Sequence, residues 1–239
     1  MTLIFFIIKK IILFFLRFCF LINLQSLTIS IIRFYILFRS SKIKKEKVGI
    51  LSINNTAFRR DTNYLRKNFN LIIFPDFILN FIFSVFFPIK FRRMLDSDFY
   101  NSKDLELLTL RNNYRKYLDL LCSIIQKEFC LEIIISPHFR YKNQFDIIKT
   151  FKKYNVKFFC IFRESLAAVG KDECDVFIKK YKKFKNFEGD VFVSPNKKVD
   201  HCIRRMNILK NSQIKTIGLL RMDSLKNLPI KEKKNILFF

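Results

Sequence analysis

Glu132-Ile-Ile-Ile-Ser-Pro-His138 and Val156-Lys-Phe-Phe-Cys-Ile-Phe-Arg163-Glu164-Ser165 are the two stretches that decide the fold class of this 239-residue chain. Each contains a continuous apolar run of about 4–8 residues, which is typical of a strand buried on both faces of a parallel sheet. In the charged segment between them, apolar residues recur at helical spacing: Phe145, Ile148, Phe151 and Tyr154. Strand, helix and strand in this order predict a parallel βαβ unit.

The same alternation extends over most of the chain. Further strands are predicted at residues 48–53, 71–74, 190–194 and 214–218. Helices are predicted at 54–69, at 170–186 and from about 196 to 210. A long amphipathic helix is predicted from the spacing of Leu107, Leu110, Tyr114, Leu118, Leu121 and Ile125. Strands that alternate with helices predict a Rossmann-like, doubly wound α/β domain. The strongly apolar segment 76–95 predicts either a second membrane-contacting patch or a buried helix.

Residues 1–40 form a different kind of segment, in which long apolar runs are interrupted by Lys9, Lys10 and Arg17. On a helix these charges fall within roughly 100° of one another and leave a broad apolar face, which favours a helix in the membrane interface. A spanning helix, which needs about 20 predominantly apolar residues, and a helix packed on the domain stay open as alternatives. A signal peptide fits less well because no small-residue cleavage site follows. The basic residues after Arg33 suit the anionic cytoplasmic leaflet of the inner membrane.

Composition limits the partners. The formal net charge is +25, from 45 Lys and Arg against 20 Asp and Glu, which suits anionic lipid, a phosphorylated substrate or nucleic acid. Because the basic residues are spread over nearly every segment and no RNA- or DNA-binding motif is present, nucleic acid is not predicted as a partner. The six cysteines show no C-x-x-C spacing, so we predict no metal site and expect reduced, structural thiols.

Polar residues directly follow several predicted strands. Because parallel strands end at the same edge of a sheet, His138, Arg163, Glu164, Asn196 and Arg221 are predicted to share one rim. Glu164 can act there as a general base on an acceptor hydroxyl, or it can pair with Arg163 and cap the next helix. His138 can act as a base near neutral pH, or it can be an ordinary turn residue.

The other candidates are substrate-binding residues, each with a structural alternative. Arg163 and Arg221 can hold a phosphate or sugar acid through two hydrogen bonds. Asp223 can contribute to this site or fix a linker by accepting backbone hydrogen bonds. Asn196 can bind substrate or cap the following helix, and Tyr141 can stack on a sugar or belong to the core. The four glycines are isolated, so a glycine-rich phosphate loop is excluded, and no cofactor is predicted.

Five short motifs in order resemble the amino-terminal half of GT-B-type surface-carbohydrate biosynthesis proteins, relatives of the CDP-glycerol glycerophosphotransferases and capsule glycosyltransferases. The motifs are Phe139-Arg-Tyr141, Phe162-Arg163-Glu164-Ser165, Phe187-Glu188-Gly189, Asn196 and Gly218-Leu-Leu-Arg221-Met-Asp223. The resemblance covers roughly residues 130–239. In the family, the last motif is G-x-P-R-x-D, and this chain has Leu220 in place of the proline.

The charge pattern described above predicts a membrane-associated helical segment (1–40). The resemblance implies that a Rossmann-like acceptor domain (41–228) follows, and then a linker with the first strand of a missing second domain (229–239). The family reaction transfers a sugar or polyol phosphate from a nucleotide-activated donor, which the second domain mainly binds. We therefore expect a truncated protein without turnover of its own. A non-catalytic membrane-bound scaffold, or half of a GT-B-fold nucleotide-sugar epimerase, stays open as an alternative.

Overall fold

The computed structural model of the protein describes residues 2–22, 24–40, 46–53, 58, 62–162, 171–184 and 186–217. Within these ranges the strands are β1 (Gly49–Ser52), β2 (Asn70–Ile73), β3 (Leu131–Ser136), β4 (Lys157–Ile161), β5 (Val191–Ser194) and β6 (Ile214–Thr216). They form one sheet in the order β2-β1-β3-β4-β5-β6, and every pairing is parallel. The predicted α/β class with a parallel sheet is confirmed, and the strand order is consistent with a Rossmann-like fold.

The described ranges also contain ten α-helices and a 3₁₀ turn at Asn211–Gln213. The helices are α1 (Thr2–Leu21), α2 (Gln25–Arg39), α3 (Thr62–Asn68), α4 (Asp76–Phe86), α5 (Ile89–Arg92), α6 (Asp96–Asn101), α7 (Leu105–Phe129), α8 (Lys142–Lys152), α9 (Lys171–Tyr181) and α10 (Lys197–Arg205). The predicted βαβ unit is therefore β3, α8 and β4. The helix predicted at 54–69 is described only from residue 62, where α3 begins. Residues 229–239, predicted as the start of a second domain, lie outside the described ranges.

Strand β1 lies between β2 and β3 in the sheet. The strand that follows β1 in the chain, β2, is on one side of it, and the later strands β3 to β6 are on the other side. Leu51 of β1 is paired with Ile72 on one side and with Ile134 on the other. Where strand order reverses in this way, connections leave the sheet in opposite directions and open a crevice beyond the carboxyl ends of the strands. The topology therefore places any ligand site at that edge.

Neighbouring residues of a strand point to opposite faces of the sheet and so belong to two apolar cores. Leu51 and Ile134 contribute to a large core that also contains side chains of α2, α4, α7, α8, α9 and α10. Ile50 and Ile135 contribute to a smaller core with Leu65 of α3. Most of the described helices thus cover one face of the sheet.

Helix α7 confirms the predicted long amphipathic helix, and the sequence explains both of its ends. The carboxylate of Asp104 accepts a hydrogen bond from the backbone N–H of Leu107 at 3.0 Å and caps the first turn. At the other end Cys130 adopts the left-handed conformation (φ 45°) and its N–H bonds to the carbonyl of Gln126. The chain then enters β3, beside the first residue of β1.

Replacing Gly49 with alanine is expected to destabilise the fold by about 1–3 kcal/mol, because its new Cβ would be overpacked against rigid backbone. That Cβ would lie 2.7 Å from the carbonyl oxygen of Phe129 and 2.8 Å from that of Cys130. Denaturant unfolding of the purified chain measures the effect. An unchanged unfolding midpoint would show that the junction between α7 and β3 can move aside.

The apolar segment 76–95 contains a buried helix, which is the second of its two predicted alternatives. Helix α4 buries Ile78, Leu79, Phe81, Ile82 and Phe83. Asp76 lies in its first turn, where a carboxylate interacts favourably with the helix dipole. The helix packs under α1, α7 and α8 through this apolar face.

The expectation that all six cysteines are reduced is wrong for one pair. Cys174 of α9 and Cys202 of α10 form a disulfide, with their Cα atoms 6.0 Å apart. The two residues are 28 positions apart in the chain, and only the packing of α9 beside α10 brings them together. Cys19, Cys122 and Cys130 are free thiols, and Cys160 is buried in β4 as predicted.

Helices α1 and α2 form a hairpin that packs on the domain through its inner faces. Leu16, Ile29, Ile32 and Ile36 are buried in the large core, and the ring of Phe20 lies against rings from α4 and α7 at centroid distances of 5.4–6.1 Å. Packing on the domain, one of the three alternatives for this segment, is therefore confirmed for these faces. Among the helices of the described ranges, none is long and apolar enough to cross a membrane.

The opposite faces of α1 and α2 are also apolar, and they are exposed. We call them the outer apolar surface, defined by fourteen described side chains that are each more than a third exposed. They are Phe6, Ile7, Ile8, Ile11, Phe14, Phe15, Phe18, Leu21, Ile22, Leu24, Leu27, Phe34, Leu37 and Phe38. The broad apolar face predicted from the sequence is thus divided: one part packs on the domain, and the other part is exposed.

Candidate functional site

A cleft opens at the carboxyl edge of the sheet, where the chain leaves β2 and β3. It consists of two adjoining cavities of about 220 and 380 Å³, and Asn80, Tyr141 and Asn143 line both of them. The other lining residues are Asp76, Leu79, Gln144, Phe83, Ser84, Arg92, Asp96 and Lys142. Small-molecule sites commonly enclose about 300–1,000 Å³, so this carboxyl-edge cleft is large enough for a small ligand.

The turn between β3 and α8 positions Tyr141 at the cleft. Ser136, the last residue of β3, is fully buried, and its hydroxyl donates to the side-chain carbonyl of Gln144 at 2.7 Å. The backbone N–H of His138 donates to the same hydroxyl at 3.3 Å. These bonds tie the strand end to the first turn of α8, which begins directly after Tyr141. Tyr141, predicted either to stack on a sugar or to belong to the core, therefore lies half-buried at the cleft.

His138 lies under Tyr141 rather than among the residues that line the cleft. Its ring contacts the ring of Tyr141 edge-on at 4.6 Å between centroids, and the ring of Phe162 at 5.8 Å. The side chain is buried. This arrangement supports a role in holding Tyr141 in place more than the predicted role as a base.

The charges of the cleft are balanced among the residues that the structure describes. Asp76 and Asp96 face the cleft together with Arg92 and Lys142. Asp96 accepts a hydrogen bond from the backbone N–H of Lys142 at 3.2 Å. The Nε of Arg92 is buried and has no hydrogen-bond partner within the described ranges, which leaves a donor beside the larger cavity.

Two amides extend this polar lining. Asn143 of α8 donates from Nδ2 to Oδ1 of Asn80 of α4 at 2.6 Å, and both residues face the two cavities. An amide offers donors and an acceptor, and a carboxylate offers acceptors. With the ring of Tyr141 beside them, these groups suit an uncharged, hydroxyl-rich ligand better than a polyanion.

Asn196, which was predicted to bind substrate or cap a helix, is a cap. Its Oδ1 accepts a hydrogen bond from the backbone N–H of Val199 at 2.9 Å, at the start of α10. Its carbonyl accepts a second bond from the hydroxyl of Ser194 at 2.8 Å. The residue lies at the same sheet edge as Tyr141, since β3 and β5 are parallel, but its side-chain oxygen is already engaged.

The remaining predicted site residues, Arg163, Glu164, Arg221 and Asp223, lie outside the described ranges. The strands that precede them, β4 and β6, are parallel to β3 and end at the same edge. The predicted geometry of the rim is thus confirmed for the strands. The roles of these four side chains stay predictions.

The sequence also contains a second pattern that indicates the cleft, besides the polar residues that directly follow strands. Asp76, Asn80 and Ser84 follow one another at intervals of four residues, and all three line the cleft. They form a polar stripe on α4, an otherwise apolar helix. Residues four apart lie on the same face of a helix, so a polar stripe of this kind marks the face that meets a polar cavity.

Neither a metal centre nor a known relative helps to assign the site. Within the part of the chain that the structure describes, no three His, Cys, Asp or Glu side chains are grouped so that they could hold a metal ion. Compared with protein-family models, with curated proteins and with solved structures, the chain has no significant match. The function must therefore be argued from the cleft and the surfaces themselves.

Proposed function

We propose that this chain is the acceptor-side, Rossmann-like domain of a GT-B-type transferase that acts in cell-surface polysaccharide biosynthesis at the membrane. The observation that carries the proposal is the carboxyl-edge cleft, whose balanced charges, paired amides and aromatic ring suit a hydroxyl-rich acceptor. The order of the motifs from Tyr141 to Asp223 supports the same family. In the proposed reaction an acceptor hydroxyl attacks a nucleotide-activated donor. Transfer of a sugar breaks its bond to the nucleoside diphosphate, which leaves, and transfer of a polyol phosphate breaks the pyrophosphate bond and releases the nucleoside monophosphate.

The residues to which we assign roles lie at the carboxyl edge of the sheet or follow strands that end there. Tyr141, with Asn80 and Asn143, holds the acceptor by stacking and hydrogen bonds. Glu164 takes the proton from the attacking hydroxyl as a general base. Arg163 and Arg221 hold the phosphate of the donor, since guanidinium groups bind phosphate through two parallel hydrogen bonds. In the family that the chain resembles, most donor contacts come from a second domain.

The outer apolar surface supports a location at a membrane. Large exposed apolar patches mark sites of protein or membrane interaction, and the outer apolar surface presents fourteen exposed Phe, Leu and Ile side chains on α1, α2 and the connection between them. Lys10 and Arg17 are exposed on α1 beside this surface, where they would meet anionic lipid head groups. The hairpin would lie in the interface of the cytoplasmic leaflet with its inner faces on the domain.

Replacing Tyr141 with alanine is expected to weaken acceptor binding about tenfold, because the change removes the stacking ring from the cleft. Isothermal titration of the purified chain with neutral oligosaccharides and with short glycerol phosphate oligomers measures this affinity. Tyr154→Ala is the matched control: Tyr154 lies beyond the other end of α8, and its hydroxyl donates to the carbonyl of Asp119 at 3.1 Å. If neither ligand class binds the wild-type chain, the acceptor-domain proposal is wrong.

A non-catalytic, membrane-bound scaffold is the second candidate, and two observations favour it. His138 is buried in contact with Tyr141, and Asn196 is engaged as a helix cap, so two of the predicted site residues have structural roles. A scaffold would bind membranes through the outer apolar surface but bind no acceptor. The titrations with oligosaccharides and glycerol phosphate oligomers therefore distinguish the two candidates.

A further inference from the structure

A second polar cavity, of about 400 Å³, lies between α6, α7 and α8 and is closed by Phe184, Asn186 and Glu188. We call it the α7–α8 cavity. Its lining residues are Tyr100, Asn101, Arg111, Arg115, Phe145, Lys149, Phe184, Asn186 and Glu188. It shares none of these residues with the carboxyl-edge cleft, and it has no part in the function proposed above.

Two arginines of this cavity converge on one buried carboxylate. Asp146 of α8 is fully buried, and its two oxygens accept hydrogen bonds from Nε and Nη2 of Arg111 at 3.3 and 3.2 Å. Nε of Arg115 donates to Oδ1 of the same carboxylate at 2.7 Å. One carboxylate neutralises one guanidinium, so this triad carries a net positive charge.

The other charged residues of the cavity do not compensate for it. Lys149 and Glu188 pair with each other, with 3.4 Å between Nζ and Oε1. Asp146 neutralises Arg111, whose side chain is only 8% exposed, so the surplus positive charge lies on Arg115, whose side chain is 40% exposed at the cavity. Each guanidinium has five N–H donors, and Asp146 accepts from only two of those of Arg111.

Tyr100 also lines the cavity, beside Arg111. Its ring lies under the guanidinium of Arg111, 5.4 Å from Cζ, and its hydroxyl is buried without a hydrogen-bond partner in the described part of the chain. Burial, with the nearby charge of Asp146, raises the pKa of Tyr100 well above its ordinary value. The phenol therefore stays protonated and uncharged at neutral pH.

We propose that the α7–α8 cavity binds a small phosphate-bearing anion. Phosphate matches the two guanidinium groups, because their N–H donors form planar forks that fit its oxygens. The rings of Phe145 and Phe184 line the same cavity and provide an apolar wall for an organic group attached to the phosphate. The alternative is that the triad only joins α7 to α8 and binds nothing.

The test is isothermal titration of the full chain, in neutral detergent at low ionic strength, with inorganic phosphate, pyrophosphate and a hexose phosphate. Arg115→Gln keeps the Arg111–Asp146 pair and is expected to weaken binding about tenfold or more. Lys153→Gln is the matched control, since Lys153 joins α8 to Asp119 of α7 at 3.1 Å and does not line the cavity. Its affinity for phosphate should equal that of the wild type.

Comparison of the three compounds separates the possible ligands. Tighter binding of the hexose phosphate than of inorganic phosphate would indicate that the attached group contacts the aromatic wall. The proposal is wrong if none of the three binds at millimolar concentration, if acetate binds as well as phosphate, or if Arg115→Gln binds like the wild type. Should Arg115→Gln fail to fold, Lys149→Gln at the exposed rim replaces it, with a severalfold loss expected. Tyr141→Ala should leave phosphate binding unchanged, so the two proposals can fail independently.

Discussion

Replacing Phe14, Phe34 and Phe38 together with aspartate is expected to lower the partition coefficient of the protein onto anionic lipid vesicles by at least about a hundredfold. These side chains are 68%, 73% and 73% exposed on the outer apolar surface. Burial of one phenylalanine in an apolar phase contributes about 1.5–3 kcal/mol, and every tenfold change in partition corresponds to about 1.4 kcal/mol. The three aspartates additionally repel anionic lipid.

Sedimentation with vesicles that contain phosphatidylglycerol measures this partition. The matched control replaces Leu95, Leu105 and Val176 with aspartate, because these side chains are 63%, 80% and 68% exposed but lie away from α1 and α2. The control should bind vesicles like the wild type. Equal loss of binding in both variants would mean that added negative charge, rather than the outer apolar surface, determines the result, and the membrane proposal would fail.

Replacing Asp146 with alanine is expected to lower the free energy of unfolding by about 3–5 kcal/mol, since it leaves the buried charge of Arg111 without its partner. Asp119→Ala is the matched control. Asp119 joins the same two helices through Lys153, but both side chains are largely exposed, and such pairs contribute about 0–1 kcal/mol. Denaturant unfolding of the two variants measures the difference.

A double replacement tests the cause of this loss. If the unpaired charge of Arg111 destabilises the Asp146 variant, then Arg111→Met combined with Asp146→Leu should recover most of the lost stability, because apolar groups of similar volume often replace a buried ion pair at little cost. A double variant that is as unstable as Asp146→Ala would contradict this explanation. In that case the loss of stability would come from altered packing of α7 against α8 rather than from the unpaired charge of Arg111.

Much of the fold can be predicted from the sequence because its signals are local. The apolar run of β3 and the helical spacing of Phe145, Ile148 and Phe151 are enough to predict the βαβ unit. The apolar stripe of α7 from Leu107 to Ile125 extends over about five turns, which is long enough to predict the helix. By contrast, the apolar segment around α4 permits a buried helix or a membrane patch, since hydrophobicity alone does not identify the partner of an apolar face.

What could not be predicted depends on contacts between residues far apart in the chain. Arg111 and Asp146 are ordinary charges in two amphipathic helices until the packing of α7 on α8 buries them together. The disulfide between Cys174 and Cys202 likewise depends on how α9 lies beside α10. At the candidate site, Tyr141 was a candidate because it belongs to a motif that resembles the family, whereas Asn80 lines the same cleft only because α4 packs against α8.

The two-sided apolar character of the α1–α2 hairpin has a consequence for synthesis of the protein on the ribosome. The inner faces pack on α4 and α7, which are translated later than α1 and α2. While the nascent chain is short, both faces of the hairpin therefore lack their protein partners, and a lipid bilayer is a surface that can receive them. On the membrane location proposed above, the hairpin would reach the lipid surface before the sheet forms, and the domain would complete its folding beside a hairpin that is already bound to the membrane.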